Sequence, residues 1–293
     1  MAELSCKNIR KKYKDKEVLH GIDLTLEEGK IYGLIGRNGV GKTTLLSILA
    51  AHNPATEGEI TLNGEPVWEN QNALDHICFS RELNPLSNNG MSGTVKEYLM
   101  AASIYFPHWD KEYADRLVKE FELDVKKKLI KVSKGMLSMV TIIIALASKA
   151  EFTMMDEPVA GLDVFMREKF YKLLLEEYTQ TGRTFVVSTH IIDEASSVLE
   201  EVIVMKEGDI ILKENTEELL GRCVHVSGKM EDVDHATEGL TVRHTEVVGR
   251  SKGVTVFLKE GEQVNTAYDV SVQPVTLQKV FVALCGEEND GKA

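Results

Sequence analysis

Hydrophobic and polar residues alternate in short segments at the start of the chain. The alternation covers residues 4–9 and 18–26, returns at 58–68, and predicts strands and a hairpin. Between them, the apolar run 30–35 predicts a buried strand, and the apolar spacing of 44–51 predicts a helix. These segments together predict a β-rich layer beside a strand-loop-helix unit.

The middle of the chain changes to a helical period and then to buried strands. Apolar residues at three and four spacing from about 84 to 147 predict a helical insertion. The runs 151–158 and 184–190 then predict parallel strands, joined by a crossover helix over 166–181 that Gly182 ends. A short helix over 191–199 and a hairpin over 202–212 follow.

Beyond about residue 221 the alternation returns, at 224–226, 240–243 and 253–258. The chain closes with a predicted helix, 276–284, that carries Leu277, Val280, Phe281 and Leu284 on one face. We expect a small C-terminal α+β unit over 221–293 whose last helix packs on the rest of the chain or across a dimer.

Composition narrows the class of protein. The chain has 293 residues, 43% hydrophobic and 27% charged, which suits one large domain and a small one. A formal net charge of −12 argues against nucleic acid as a partner. The four cysteines lack C-x-x-C spacing, so neither a zinc site nor a disulfide framework is expected. The longest apolar run, 139–147, is shorter than the ~20 residues that span a bilayer.

The loop between the predicted strand and helix fits G-x-x-x-x-G-K-[ST], a phosphate-binding pattern. Its glycines let backbone amides point at phosphate oxygens, and the helix N-terminus adds positive potential. Lys42 would reach the β- and γ-phosphates, and the Thr43 hydroxyl would ligate Mg²⁺. The predicted ligand is a nucleoside triphosphate, held by Gly36, Asn38, Gly39, Val40, Gly41, Lys42, Thr43 and Thr44.

Two carboxylates, Asp156 and Glu157, close the first of the later strands. A pair at a strand end is often only a cap, but beside a phosphate loop it suits catalysis. Asp156 would then hold the Mg²⁺ shell, and Glu157 would orient and deprotonate water.

With these motifs, residues 1–220 resemble the nucleotide-binding subunits of ATP-binding-cassette (ABC) transporters. The resemblance implies an α/β P-loop NTPase fold, with an antiparallel β layer and a helical subdomain at about 84–147. It identifies Ala160-Gly161-Leu162-Asp163 as the D-loop, with Asp163 at the nucleotide, and His190, after Thr189, as the γ-phosphate sensor. It also makes Tyr13 the aromatic that stacks on adenine, although a half-buried surface tyrosine remains the alternative.

The chain departs from the family pattern at two places. The family's signature segment is typically Leu-Ser-Gly-Gly-Gln, whereas this chain has Val132-Ser133-Lys134-Gly135-Met136 before a helix predicted near residue 137. Ser133 and Gly135 would still contact the γ-phosphate held by a partner subunit. The second departure is Glu82 where family members have glutamine; it would ligate Mg²⁺, with a plain exposed glutamate as the alternative.

The resemblance implies an ATP-hydrolysing subunit of a bacterial-type ABC exporter with ATP and Mg²⁺ as cofactors. We expect a homodimer docked on separate integral membrane permease subunits at the cytoplasmic face of the membrane. Glu82 resembles the variant of lantibiotic-immunity and peptide-export cassettes, which favours antimicrobial or amphipathic toxic peptides as cargo. Export of drugs or ions, a soluble non-transport ABC ATPase and an inactive regulatory module are the alternatives.

Overall fold

The computed structural model describes residues 2–84 and 93–286. Its strands, in chain order, are β1 (Glu3–Tyr13), β2 (Lys16–Glu27), β3 (Ile31–Gly36), β4 (Glu57–Leu62), β5 (Glu65–Pro66), β6 (Ile77–Ser80), β7 (Phe152–Asp156), β8 (Thr184–Thr189), β9 (Glu201–Lys206), β10 (Asp209–Asn215), β11 (Cys223–Lys229), β12 (Thr241–Val248), β13 (Ser251–Phe257) and β14 (Val270–Pro274).

The α-helices of the described residues, in chain order, are α1 (Lys42–Leu49), α2 (Gln71–Leu74), α3 (Val95–Tyr105), α4 (Lys111–Glu120), α5 (Lys134–Ala147), α6 (Val164–Thr181), α7 (Ile192–Ala195), α8 (Thr216–Gly221), α9 (Met230–Ala236) and α10 (Leu277–Cys285). A 3₁₀ turn, Leu129–Lys131, precedes α5. No helix among the described residues is both long enough and apolar enough to cross a bilayer.

The first layer is an antiparallel sheet with strand order β2-β1-β4-β5. Leu4, Cys6 and Ile9 of β1 are buried, as its alternating pattern predicts. Tyr13 pairs with Lys16 across a two-residue turn, so it is the last residue of β1. The predicted strands and hairpin of this layer are confirmed.

The central sheet has the order β10-β9-β3-β8-β7-β6, with β10 antiparallel and the other strands parallel. Every residue of β3, β7 and β8 is buried, as expected for parallel strands covered on both faces. Ile31 and Ile35 pack toward the helices, whereas Tyr32 and Leu34 pack toward the antiparallel sheet. The sheet therefore separates two hydrophobic cores.

Helices α3, α4 and α5 form the predicted helical insertion, of which residues 85–92 lie outside the described residues. Each begins at a polar N-cap: Thr94, in a capping box with Glu97, then Asp110 and Ser133. These side chains satisfy amides that the first helical turn leaves without partners. Because Ser133 caps α5, that helix begins at Lys134, earlier than the sequence suggested.

A buried ion-pair network joins the insertion to the crossover helix. Glu177, near the end of α6, is 2% exposed and accepts hydrogen bonds of 2.8 Å from both Arg183 and Lys149. Arg183 also donates to the carbonyls of Leu146 and Ala150, at the end of α5. Its burial lowers the pKa of the guanidinium, which the Glu177 carboxylate partly offsets.

The C-terminal residues form an antiparallel sheet, β12-β13-β11-β14, with helix α9 on one face. Helix α10 begins at its N-cap Thr276 and packs on the rest of the chain. Its buried residues Leu277, Val280 and Ala283 belong to the same core as Leu199 and Val204. The expectation that this helix packs on the rest of the chain is confirmed.

Two further predicted boundaries are wrong, each for a physical reason. Helix α7 ends at Ala195 instead of near residue 199, and a Cβ on Gly33 would lie only 2.3 Å from Leu199. Leu199 therefore packs on the bare backbone of β3, and the chain leaves the helix to reach it. Strand β7 ends at Asp156, because Glu157 has a left-handed φ of +48°.

We predict that Leu277→Ala lowers the free energy of unfolding by about 2–5 kcal/mol, because it leaves a cavity in the shared core. Val282→Ala, on the same helix at a side chain that is 41% exposed, should change it by less than about 0.5 kcal/mol. Urea unfolding measures both. Equal midpoints for the two variants would contradict the packing of α10 described above.

Candidate active site

The phosphate-loop pattern lies between β3 and α1, and three of its glycines are required for different reasons. Gly39 and Gly41 have φ of +83° and +112°, which glycine adopts without strain. A Cβ on Gly41 would also lie 2.8 Å from Leu19, and one on Gly36 would lie 2.8 Å from the Met205 carbonyl oxygen. Gly41 is the N-cap of α1, so the amides of that first turn face an anion-binding position.

Lys42 is the buried cation of this loop, with 6% of its side chain exposed. Its ammonium donates to the carbonyls of Gly36 at 2.8 Å and Arg37 at 3.3 Å, and lies 3.9 Å from a Glu157 oxygen. Burial lowers the pKa of this amine, and the carboxylates of Glu157 and Asp156 oppose that shift. The ammonium is therefore held at the base of the loop, facing the carboxylates.

Asp156 joins the loop to the neighbouring strand through both of its oxygens. One accepts a hydrogen bond of 2.6 Å from the Thr43 hydroxyl, and the other accepts one of 2.6 Å from the Ser188 hydroxyl. A hydroxyl and a carboxylate are oxygen donors of the kind that Mg²⁺ prefers, so this set fits a magnesium ion.

Glu157 points into the same edge of the sheet. Its amide donates to the carbonyl and the hydroxyl of Ser188, at 3.2 and 3.0 Å, which fixes the turn after β7. Its carboxylate lies 2.7 Å from Nδ1 of His190, whose ring is half exposed. The structure thus brings Lys42, Glu157 and His190 into one chain of contacts.

Two clefts meet at Thr43 and Asp156. The first has a volume of about 300 Å³ and is lined by Val18, Asn38, Gly39, Gly41, Lys42, Thr43, Thr44, Asp156 and Glu157. The second, of about 610 Å³, extends from Thr43 and Asp156 to Glu82 and the insertion residues Tyr98, Thr141 and Ile144. Glu82 therefore shares a cleft with both candidate metal ligands, although half of its side chain is exposed.

The signature segment lies next to the D-loop and does not line either cleft. A Cβ on Gly135 would lie 2.6 Å from the carbonyl oxygen of Gly161. The Ser133 hydroxyl accepts a hydrogen bond from the Met136 amide, and Asp163 caps α6 by accepting one from Met166. The signature segment is thus in contact with the D-loop, and Ser133, Gly135 and Asp163 do not line the clefts at this chain's own phosphate loop.

Tyr13 is also outside the two clefts. Its hydroxyl accepts a hydrogen bond of 2.6 Å from the Asn53 side chain. The Lys11 ammonium lies 4.9 Å from the centre of its ring, and Tyr13 is 46% exposed. These contacts leave much of the ring accessible, so adenine stacking stays a prediction.

Sequence reasoning missed Ser188 as a residue of the site. Its hydroxyl is fully buried between Asp156 and the Glu157 amide, where it orients both residues. The signal was a hydroxyl near the end of an apolar strand, directly opposite Asp156 in the parallel register. That register is not visible in the sequence unless β7 and β8 are assumed to be neighbours.

Comparison with known proteins agrees with this geometry. The family model described as ABC transporter matches residues 19–160. The Nod factor export ATP-binding protein I of Burkholderia lata is 26% identical over 306 residues, covering 98% of this chain and 98% of that protein. The taurine import ATP-binding protein TauB of Ruegeria pomeroyi is 33% identical over 217 residues, covering 70% of this chain and 78% of that protein.

A solved dimeric structure of an ATP-binding cassette in a post-hydrolysis state, bound to ADP and Pi, shares the fold. Its TM-score is 0.63 at 24% identity, and the match covers 73% of this chain and 98% of that one. The predicted P-loop NTPase fold is therefore confirmed. Taken with the family model and the identity to TauB, the comparison shows that this chain belongs to the ABC transporter family of ATP-binding, ATP-hydrolysing cassettes.

Proposed function

We propose that this ATPase drives export through separate membrane subunits, and that its active centre is the cluster at the carboxyl ends of β3, β7 and β8. The observation that carries the proposal is the chain of contacts from Lys42 through Glu157 to His190, beside the pair of Thr43 and Asp156. It combines a cation for phosphate, oxygen ligands for a metal and a carboxylate base at one edge.

In this proposal the phosphate loop holds the nucleotide. The amides of residues 38–44 donate to phosphate oxygens, and Lys42 exchanges its loop carbonyls for the terminal phosphates. Thr43, Asp156 and Glu82 line one cleft and would serve there as oxygen ligands for Mg²⁺. When bound, Mg²⁺ supplies positive charge that stabilises the phosphate oxygens during transfer to water.

Glu157 acts as the general base of the proposed mechanism. Its carboxylate is ordered by His190 on one side and by the backbone contacts to Ser188 on the other. A base held within hydrogen-bond reach of its water contributes typically 10²- to 10⁴-fold to a rate. His190, half exposed at the same edge, is available to the γ-phosphate.

The proposed assembly is a homodimer. Ser133 and Gly135 lie at the N-terminus of α5, beside Gly161, and do not line the cleft of their own phosphate loop. A second copy facing this surface would bring the segment to its nucleotide, where the amides of α5 would add positive potential. Membrane permease subunits complete the assembly in this proposal, and hold the chain at the cytoplasmic face of the membrane.

The direction of transport is supported by the extent of the similarity. The Nod factor export protein matches almost the whole chain, including the C-terminal unit, whereas the taurine import protein matches 70% of it. For cargo we propose amphipathic antimicrobial peptides, supported by the resemblance of Glu82 to peptide-export cassettes; drugs or ions are the alternatives.

Glu157→Gln should abolish steady-state ATP hydrolysis and leave ATP binding intact, because the amide keeps the shape of the side chain but cannot accept the proton. Lys42→Ala should instead weaken binding itself. Phosphate release and nucleotide titration measure the two effects. Glu176→Gln, on the outer surface of α6, is the matched control and should retain wild-type values. Turnover by Glu157→Gln above about a tenth of wild type would contradict the role of base.

Ser188→Ala should raise the Mg²⁺ concentration needed for half-maximal activity, because Asp156 loses the hydroxyl that orients it. The unfolding free energy should also fall by about 1–3 kcal/mol, since a buried acceptor loses its partner. Ser148→Ala removes a buried hydroxyl that donates to the Ala145 carbonyl and accepts from the Ala150 amide, and should affect stability without changing the Mg²⁺ dependence. The same Mg²⁺ dependence in both variants would contradict the proposed role of Ser188.

Export can be tested in inside-out vesicles from cells that express the chain with its membrane subunits. ATP should drive accumulation of a labelled cationic amphipathic peptide in these vesicles, and vesicles carrying Glu157→Gln should accumulate none. Uptake of the peptide by right-side-out cells, with no accumulation in inside-out vesicles, would show import and refute the proposed direction.

A further inference from the structure

Two of the positions at which the chain departs from the family's usual pattern contact each other. The ammonium of Lys134, in the signature segment, lies 3.0 Å from an oxygen of Glu82. Family members usually have glycine at the position of Lys134 and glutamine at the position of Glu82. An ion pair thus joins the strand end beside the candidate metal cleft to the segment that starts α5.

The path of the Lys134 side chain is set by its neighbours. A Cβ on Gly161 would lie 2.8 Å from Cγ of Lys134, so the aliphatic stem packs on the bare backbone of the D-loop. Gly161 itself has a φ of +78°, a conformation that glycine adopts most easily. The side chain therefore runs from the D-loop to Glu82 and touches both elements that flank the signature segment.

Glu82 also borders the candidate metal cleft. It lines the same cleft as Thr43 and Asp156, whose oxygens fit a magnesium ion. A carboxylate is a good ligand for a hard divalent cation. The Lys134 ammonium and a cation at Asp156 would compete for the same negative charge.

We propose that Glu82 is exchanged between Lys134 and the divalent cation of its own subunit, which makes Lys134 a positioning residue for the metal. This exchange rests on the proposed function of the cleft. Cation binding leaves Lys134 without its carboxylate partner, so the signature segment gains a free positive charge only in a metal-loaded subunit. The charge of the surface that would face a second copy therefore depends on whether the cleft holds its cation.

The ion pair between Glu82 and Lys134 is weak enough to be exchanged. Both side chains are about half exposed, at 55% and 51%, so the pair is screened by water. Pairs of this kind change an equilibrium by at most about fivefold. A divalent cation with two further oxygen ligands competes successfully against such a partner, and no core contact has to break.

The experiment is a double-mutant cycle read by metal affinity. Free Mn²⁺, which prefers the same oxygen ligands as Mg²⁺, is titrated by electron paramagnetic resonance in the presence of a non-hydrolysable ATP analogue. The variants are Lys134→Gln, Glu82→Gln and their combination, with Lys134→Arg as the conservative replacement. Lys131→Gln removes an exposed charge from the 3₁₀ turn just before the signature segment and is the matched control.

We expect Lys134→Gln to tighten Mn²⁺ binding about two- to fivefold in the chain that has Glu82, and much less in the Glu82→Gln background. Lys134→Arg should retain the wild-type affinity. Lys131→Gln changes only the overall electrostatic potential near the site. It should therefore have the same small effect on Mn²⁺ affinity in both backgrounds.

An equal effect of Lys134→Gln in both backgrounds, or one no larger than that of Lys131→Gln, would overturn the exchange while leaving the metal site in place. A wild-type chain that binds no Mn²⁺ with the nucleotide analogue would instead overturn the proposed function of the cleft itself. The two failures are therefore distinguishable in one set of titrations.

Discussion

The site depends on the register of three parallel strands, β3, β8 and β7, which lie next to each other in the central sheet. Ile35 is opposite Thr189, and Ser188 is opposite Asp156, so the three strands end at one edge. A shift by one residue would turn each side chain to the other face of the sheet. The hydrogen bonds that Ser188 makes with the Asp156 carboxylate and the Glu157 amide then fix these two residues at the edge of the sheet.

A second constraint keeps the helical insertion aligned with that edge. Glu177 is buried with two cations, and removing one partner from such a group typically costs about 3–5 kcal/mol. Because Arg183 also holds the last carbonyls of α5, the C-terminal end of that helix is fixed to the crossover helix. Its N-terminal end, where Lys134 lies, is held by an exposed ion pair, by small-residue contacts with the D-loop and by a hydrogen bond of 2.6 Å from the Ser138 hydroxyl to the Ala160 carbonyl. The helix is thus fixed to the crossover helix at one end and to the D-loop at the other.

Much of this arrangement could be predicted from the sequence, because its signals are local. The phosphate loop, the buried strands and the cap at Gly182 each depend on a few consecutive residues. The short α7 could not be predicted, since Leu199 leaves the helix to fill the space above Gly33 on another strand. Nor could the pairing of Glu82 with Lys134, whose contact depends on how the insertion packs against the sheet. The surroundings of Tyr13 likewise depend on Asn53, which approaches from the far end of α1.

The polar groups of the site have protein partners of the same chemical kind as the ligands proposed for them. Lys42 donates to loop carbonyls where it would donate to phosphate, and Asp156 accepts from the Thr43 hydroxyl beside the proposed metal position. Glu82 in turn holds a lysine ammonium. Because a buried polar group without a partner costs about 1–3 kcal/mol, these contacts stabilise the fold itself. Ligand binding then exchanges one partner for another, and each exchange releases a group that belongs to a different element. The sequence of exchanges can therefore carry the loading of the cleft outward to the signature segment.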